Sequence, residues 1–210
     1  MSSREYFKEI AGEWDEMRRS FFSDELREKA ISFANPVPDS LAADIGAGTG
    51  FMTEGLLQKE IRTIVIDQSS EMLEELKKKF NYCTLINCRV GESENLPVED
   101  NTVDYVFANM YLHHVPSPGK AIQEMVRILK PQGKLIITDL DAHNYRFLVE
   151  EQHDRWMGFQ RNDVKKWFNA AGLEDVQVNC MNENCYSESC AKNTKASINI
   201  FMASGIKKLL

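Results

Sequence analysis

Three glycines at alternate positions, preceded by one acidic residue and followed later by another, are the part of this chain whose spacing most clearly indicates chemistry. The segment Asp44-Ile45-Gly46-Ala47-Gly48-Thr49-Gly50 follows a short apolar stretch and precedes a helical pattern. Because glycines lack β-carbons, a ligand can lie against the backbone of such a turn while helix N–H groups point at it. Asp67 ends a second apolar stretch, where a carboxylate can accept hydrogen bonds from a ribose diol. The pattern predicts a pocket for a nucleoside-containing ligand.

The spacing of the glycines and the charge before them favour a cationic adenosyl ligand over a dinucleotide. The glycines read G-x-G-x-G, whereas dinucleotide sites read G-x-G-x-x-G. Asp44 stands two residues before the first glycine, where its charge would repel a pyrophosphate and attract an ammonium group. S-adenosylmethionine carries an ammonium and a sulfonium, so it is the predicted cofactor. A nicotinamide-dependent oxidoreductase is the disfavoured alternative.

Cysteines near the end of the chain could bind a soft ion. Cys180, Cys185 and Cys190 are evenly spaced, and we expect Cys185 and Cys190 in a flexible hairpin loop. Thiolates gathered in this way select soft ions such as arsenite-like metalloids. The alternative is that these are inert surface or partly buried thiols. Cys83 and Cys88 are better explained as small, buried apolar residues, and no other metal site is predicted.

The elements that must position these residues follow from an alternation of strand and helix patterns. Strand patterns fall at 41–45, 61–66, 82–87, 103–108, 134–140, 176–180 and 196–203, and helix patterns at 24–33, 51–59, 118–129 and 163–171, with a further helix after Ser69 or Ser70. This regularity predicts an α/β fold: a Rossmann-like, seven-stranded, mostly parallel sheet with helices on both faces. The last two strands have no helix between them, so they should form an antiparallel hairpin.

Length and composition predict one domain spanning residues 1–210. We expect a helical cap at 1–38 and a core at 39–210, with an insertion at 141–162 that forms part of the substrate wall. The net charge is −7 without a basic cluster, which argues against nucleic acid or an anionic membrane as a partner and leaves a small molecule. With no signal-like segment and no apolar stretch of roughly 20 residues, we expect a cytoplasmic protein without disulfides.

The motifs together resemble the class I S-adenosylmethionine-dependent methyltransferases, and most closely the branch containing the ubiquinone/menaquinone-biosynthesis and arsenite methyltransferases. The resemblance runs from about Tyr6 to Lys207. It implies that Asp44 to Gly50 wraps the methionine part of the cofactor, and that Asp67 and Gln68 hold the ribose. The implied cofactor contacts in these two segments are Asp44, Gly46, Ala47, Gly48, Gly50, Asp67 and Gln68.

The resemblance assigns the remaining cofactor contacts to three other places. Met72 would pack on the adenine. The segment Gly91 to Pro97 would bind the adenine edge through Glu92 and the backbone of Ser93, where relatives have Asp and Ala. Asn109 begins the stretch in which cofactor and substrate meet.

Methyl transfer from a sulfonium is an in-line displacement, so the protein mainly supplies positioning and a dry cavity. A general base is needed only if the nucleophile arrives protonated. His113 and His114 are the candidate catalytic residues. The alternative is that one of them hydrogen-bonds the local backbone and the other is exposed.

Two segments could form the substrate pocket. Tyr6 and Trp14 lie in the N-terminal helical region, and Arg146 and Trp156 lie in the insertion at 141–162. The alternative is that these side chains only pack their helices onto the sheet.

The predicted function is therefore methyl transfer to a small molecule. One alternative is a metalloid or thiol methyltransferase that uses the cysteine loop. Against it, arsenite methyltransferases typically carry a cysteine just after the glycine motif, where this chain reads Phe51-Met52-Thr53-Glu54. The other alternative is a non-catalytic module that binds S-adenosylmethionine.

Overall fold

A computed structural model describes residues 3–189, 191 and 194–209. In this part of the chain the helices are α1 (Ser3–Ile10), α2 (Trp14–Arg18), α3 (Glu25–Ala34), α4 (Phe51–Gln58), α5 (Ser70–Lys79), α6 (Pro118–Ile128), α7 (Phe147–Glu151) and α8 (Arg161–Ala170), with a 3₁₀ helix at Leu112–His114. The strands are β1 (Leu41–Ile45), β2 (Arg62–Asp67), β3 (Ile86–Val90), β4 (Val103–Asn109), β5 (Leu129–Leu140), β6 (Leu173–Glu188) and β7 (Lys195–Lys207). None of the helices described here is long and apolar enough to cross a membrane.

The strands form one seven-stranded sheet in the order β3-β2-β1-β4-β5-β7-β6. The first five strands along the chain pair in parallel. The last strand, β7, lies antiparallel between β5 and β6. This confirms the predicted fold class, including the antiparallel C-terminal hairpin.

Helices cover both faces of the sheet because successive side chains of its strands point to opposite sides. In β1, Ala43 packs in a core with Ile122 of α6 and Phe168 of α8. Its neighbour Ala42 packs in a second core with Leu26 of α3 and Leu56 of α4. The short apolar strands, which alternate little between polar and apolar residues, are therefore buried from both sides.

Several predicted boundaries differ from the structure. The third strand was expected at 82–87 but begins at Ile86, since Asn81 and Tyr82 have φ angles of +49° and +53° and form a turn. The N-terminal helical pattern is interrupted, because Trp14 starts a separate helix after a turn at 11–13. Cys83 and Cys88 are only half-buried.

The predicted cysteine loop is wrong. The strand β6 runs to Glu188, so Cys185 lies within it, paired with Ile198 of β7. Cys185 is buried whereas Cys180 is exposed, and Cys190 lies outside the described residues. Long β-pairing thus replaces the flexible loop that was expected to gather the thiols.

Candidate active site

The candidate site lies at the carboxyl ends of β1 and β4, which are neighbours in the sheet. From β1 the chain continues into β2 on one side, and from β4 into β5 on the other. Loops diverge at such a switch point and leave a crevice, which is where ligands bind in open α/β sheets.

The glycine motif forms the floor of this crevice. Its glycines adopt positive φ angles, which are energetically unfavourable for residues with a β-carbon. Gly46, Gly48 and Gly50 have φ angles of +67°, +55° and +91°. A β-carbon on Gly46 would lie 2.1 Å from the ring of Tyr111. A β-carbon on Gly50 would lie 2.7 Å from Phe80, so Gly50 permits close packing behind the loop and does not border the crevice.

The first cavity occupies the crevice and has a volume of about 560 Å³. Many of the predicted residues line it: Trp14, Gly46, Ala47, Gly48, Asp67, Gln68, Met72, Asn109 and His114. Asp44, Gly50, Glu92 and Ser93 do not line it.

Asp67 borders the first cavity and also holds the glycine loop. Its Oδ2 accepts a hydrogen bond from the backbone N–H of Gly48 at 2.9 Å, and its Oδ1 accepts one from Ser69 at 2.8 Å. Burial raises the pKa of Asp67, and these backbone hydrogen bonds oppose the shift. Each carboxylate oxygen has a second lone pair, so Asp67 can accept further hydrogen bonds from a ligand.

Asp44 lies behind the loop. Its side chain is buried, and its Oδ2 accepts hydrogen bonds from the backbone N–H of Thr53 at 2.9 Å and from the hydroxyl of Thr53 at 2.6 Å. Burial raises the pKa of Asp44 to about 7. The carboxylate therefore ties the end of β1 to α4, and the direct contact with an ammonium that the sequence predicted does not fit this position.

Tyr111 was missed by the sequence reasoning although it lies within the segment that begins at Asn109. Its ring lies against Gly46, and its hydroxyl hydrogen-bonds the side chain of Ser93. Burial raises the pKa of Tyr111. Ser93 is thus connected to the cavity through Tyr111, while Glu92 is exposed. Glycine at position 46 is the signal that something packs there, but it does not identify the partner.

Arg18 places a buried cation on the wall of the first cavity. Its side chain is 7% exposed, and its guanidinium lies 4.4 Å from the ring centroid of Phe51. It donates to a carboxylate oxygen of Asp24 at 3.0 Å. A buried arginine at a cavity can bind a carboxylate of a ligand with little reorganisation.

A second cavity of about 470 Å³ adjoins the first. The two share a wall formed by Phe7, Trp14, Phe22, Met110 and His114. Beyond this wall the second cavity is lined by Tyr6, Phe21, His113, Leu140, Leu148, Gln152, Asp154 and Cys185. Its lining is mostly apolar, and its polar groups converge on one side.

His113 and His114 form the polar side of the second cavity together with Asp154. Nδ1 of His113 lies 2.7 Å from Oδ1 of Asp139, a fully buried carboxylate at the end of β5. Burial opposes the protonation of His113, but Asp139 and Asp154 outweigh it and raise the pKa of His113 to about 9. Burial and the neighbouring His113 lower the pKa of His114.

The insertion at 141–162 contributes to the second cavity, but through other residues than predicted. Arg146 is exposed and Trp156 is 40% exposed, and neither lines either cavity. The indole N–H of Trp156 instead donates to the backbone carbonyl of Val115 at 2.9 Å, which anchors the insertion to the loop after the 3₁₀ helix. Asp154 does line the second cavity. Its distance along the sequence from His113 and His114 follows no pattern that would have identified it as a site residue.

Comparisons with known proteins give the same class for the central part of the chain. A family model described as a methyltransferase domain matches residues 43–137. The 2-methyl-6-phytyl-1,4-hydroquinone methyltransferase of Arabidopsis thaliana, a chloroplastic protein, is 29% identical over 163 residues, covering 75% of this chain and 47% of that protein. The chain spans about half the length of the plant relatives it matches.

Solved structures of methyltransferases share the fold. A chain from the Haloferax volcanii complex between the Trm112 methyltransferase activator and its candidate methyltransferase superposes with a TM-score of 0.78 at 17% identity, over 100% of this chain and 99% of that one. Phosphoethanolamine N-methyltransferase 2 of Haemonchus contortus, solved with S-adenosyl-L-methionine, gives a TM-score of 0.73 at 16% identity, over 87% of this chain and 52% of that one. These likenesses show that the chain has the fold of these methyltransferases.

Proposed function

We propose that this chain transfers a methyl group from S-adenosylmethionine, bound in the first cavity, to a small molecule bound in the second. The observation that carries the proposal is the wall shared by the two cavities. A methyl donor and its acceptor must meet within a few ångströms, and two cavities that share a wall provide that arrangement.

The first cavity suits an adenosyl amino acid. Gly46 and Gly48 line this cavity, where their missing β-carbons leave room for the rings of Tyr111 and Trp14, and Asp67 can accept hydrogen bonds from ribose hydroxyls. Arg18, at the same cavity, can pair with the carboxylate of the methionine part, and Met72 offers an apolar surface for the adenine. S-adenosylmethionine supplies a methyl carbon attached to a sulfonium, which leaves as a neutral thioether.

The second cavity suits a small aromatic or otherwise apolar acceptor. Tyr6, Phe7, Phe21 and Phe22 give it an aromatic lining, and the rings of Phe7 and Trp14 pack edge-to-face at 5.3 Å in the wall that it shares with the first cavity. The hydroquinone named for the Arabidopsis relative is of this chemical class. This favours the quinone part of the resemblance over the arsenite part.

The metalloid alternative loses its structural basis because the thiols are separated. Burial raises the pKa of Cys185 to about 12, so it is a poor thiolate ligand at neutral pH. Cys180 is exposed and does not line the second cavity. A soft ion would therefore meet at most one of these two thiols there.

His114 is the predicted catalytic residue that is placed to contact the acceptor, since it borders both cavities. His113 borders the second cavity only, and its ring is oriented by Asp139. The pKa of His113 is raised to about 9, so it is already protonated at neutral pH, whereas the lowered pKa of His114 leaves it free to receive the proton of a protic acceptor.

Calorimetry and a labelled-methyl assay test this proposal. We expect S-adenosylmethionine and S-adenosylhomocysteine to bind and NAD not to bind. We expect label from S-adenosylmethionine to reach a phenol or hydroquinone in a panel that also contains thiols, amines and arsenite. Binding of NAD alone would contradict the cofactor, and binding of S-adenosylhomocysteine without methyl transfer to any acceptor would favour a non-catalytic binding module.

A further inference from the structure

Three electron-pair donors converge at one side of the second cavity. Nε2 of His113 and Nδ1 of His114 each lie 3.8 Å from Oδ1 of Asp154. One ligand atom from each of the three residues lies within 4.8 Å of the other two. The side chains are almost fully buried, at 6%, 9% and 3% exposure, so water solvates them little.

The other contacts of the two histidines decide which nitrogen faces Asp154. Nδ1 of His113 is engaged with Asp139, which leaves Nε2 for the cluster. His114 hydrogen-bonds the backbone of His153, and its Nδ1 is buried with no hydrogen-bond partner among the described residues. With Nε2 donating to that backbone, Nδ1 of His114 carries a lone pair. A buried lone pair that faces a carboxylate is unfavourable unless a cation or a proton lies between them.

Backbone contacts hold the cluster in place before any ligand binds. The N–H groups of Arg155 and Trp156 both donate to the backbone carbonyl of His113, at 3.0 and 3.1 Å, which fixes Asp154 opposite the histidines. Asp139 accepts hydrogen bonds from the backbone of Leu112 at 2.8 Å and of Leu140 at 2.7 Å. A carboxylate that orients a histidine through its outer nitrogen is the usual support of a metal ligand.

The geometry points to a binding site for one divalent transition-metal ion, of the Zn²⁺ type, formed by His113, His114 and Asp154 at the wall of the second cavity. Two imidazoles and one carboxylate are the donors that such ions accept. Bond lengths of about 2.0–2.2 Å place tetrahedral ligand atoms roughly 3.3–3.5 Å apart. The two separations of 3.8 Å would have to shorten by about 0.4 Å to reach that distance, and the separation between the two imidazole nitrogens, which is at most 4.8 Å, by up to about 1.4 Å.

Three protein ligands leave a coordination position open, as in catalytic zinc sites. The three ligand residues line the second cavity, so that position is available to an acceptor bound there. This role rests on the proposed function. A hydroxyl or thiol of the acceptor would bind the ion and lose its proton to water. Its lone pair would form the bond to the methyl carbon as the carbon–sulfonium bond breaks, and that electron pair would stay on the sulfur.

Metal binding by the full chain tests the site. After treatment with a chelator, we expect the chain to bind one Zn²⁺ in competition with a chromophoric chelator. Co²⁺ should give the intense visible absorption of a tetrahedral site. Asp154→Asn, which keeps the shape of the side chain, should weaken Zn²⁺ binding at least tenfold. Asp139→Asn should weaken it by about 10–100-fold, because Asp139 positions His113 without contacting the ion.

Two matched variants separate this site from others on the chain. His153→Gln removes an imidazole next to Asp154, and Cys180→Ser removes an exposed thiol. Both should bind Zn²⁺ like the wild type. Thermal melting without metal checks that each variant folds, and added Zn²⁺ should raise the melting temperature of the wild type but not that of Asp154→Asn.

The outcomes distinguish this site from the proposed function. Calorimetry with S-adenosylhomocysteine on the same samples should give equal affinity for the wild type and Asp154→Asn, because Asp154 does not line the first cavity. If S-adenosylhomocysteine binds and Zn²⁺ does not, the metal site is refuted and a proton shared by His113 and Asp154 explains the cluster. If Zn²⁺ binds with the expected variant pattern and S-adenosylhomocysteine does not, the metal site stands and the methyltransferase proposal fails.

Discussion

The two cavities differ in how the chain builds them. The floor of the first is formed by backbone in the glycine loop after β1, with the end of β2 beside it, and these two segments lie close together in the sequence. Its walls come from the N-terminal helices and from the segment after β4. The second is formed by side chains from the N-terminal helices, the 3₁₀ helix, the insertion after β5 and the strand β6. A backbone-built site needs unusual residues at fixed spacing, whereas a site built from distant side chains can use common residues at any spacing.

Substitution at the backbone-built cavity should have the largest effect. Gly46→Ala adds a β-carbon where Tyr111 packs and where φ is +67°, and the left-handed conformation alone costs about 1–2 kcal/mol. We expect affinity for S-adenosylhomocysteine to fall at least about tenfold, measured by calorimetry. Gly119→Ala makes the same change where the β-carbon would meet only ordinary contact at 3.8 Å, and it should bind like the wild type. Equal affinities for the two variants would contradict a ligand at Gly46.

Removing the carboxylate of Asp67, at the end of β2, should have the second-largest effect on cofactor binding. Asp67→Ala loses the acceptor for Gly48 and Ser69 and, in the proposed complex, for the ribose. Hydrogen bonds to charged groups contribute about 1.5–3 kcal/mol, so S-adenosylhomocysteine should bind roughly 10–100-fold more weakly. Asp154→Asn, at the other cavity, is the comparison. The distinction between the two cavities fails if both variants lose the same affinity.

Asp44→Asn should alter the pH dependence of stability more than ligand binding. Burial raises the pKa of Asp44 from 3.8 to about 7, so between these values the folded chain holds a proton that the unfolded chain has released. Asp44 therefore favours folding at low pH, and that contribution is lost as the pH rises towards 7. Urea unfolding at pH 5 and at pH 8 measures this contribution. From pH 5 to pH 8, the free energy of unfolding of the asparagine variant should fall by roughly 1–3 kcal/mol less than that of the wild type.

The same variant tests whether Asp44 contacts the cofactor. If the carboxylate only ties β1 to Thr53, S-adenosylhomocysteine and 5′-methylthioadenosine, which lacks the ammonium, should change in affinity by the same factor. A selective loss of S-adenosylhomocysteine, which alone of the two carries the ammonium, would restore the direct electrostatic contact that the sequence predicted.

A pair of cysteines in β6 should give the smallest effects. Cys185→Ser places a hydroxyl in a buried apolar wall and should lower the free energy of unfolding by about 1–3 kcal/mol. Cys180→Ser changes an exposed residue and should stay within about 0.5 kcal/mol of the wild type. Chemical unfolding measures both. Arsenite-dependent turnover that disappears in either variant would revive the metalloid alternative.

The sequence predicted the sheet well because its evidence is local. Short apolar strands, the glycine loop and the missing helix before β7 each constrain the backbone directly, and the structure confirms the fold class they indicate. The ends of the strands were predicted less accurately where pairing with a neighbouring strand determines them. β6 extends to Glu188 because it pairs with β7 along its length, and this moves Cys185 from a predicted loop into the core.

The sequence also predicted some residues of the candidate site and missed others. Gly46, Asp67 and Met72 were predicted and line the first cavity. Asp154 was not predicted, because its carboxylate meets His113 and His114 only after the chain has passed through β5 and the insertion. Trp156, two residues later, was predicted for its size and aromatic character but anchors the insertion to Val115 instead.

A crystal structure of the chain with S-adenosylhomocysteine would show directly where the cofactor binds. We expect the adenosyl group over Gly46 and Gly48, with Asp67 at the ribose and the sulfur facing the wall shared with the second cavity near Met110 and His114. A ligand whose sulfur points away from the second cavity, or a first cavity that stays empty at saturating ligand, would contradict the proposed function.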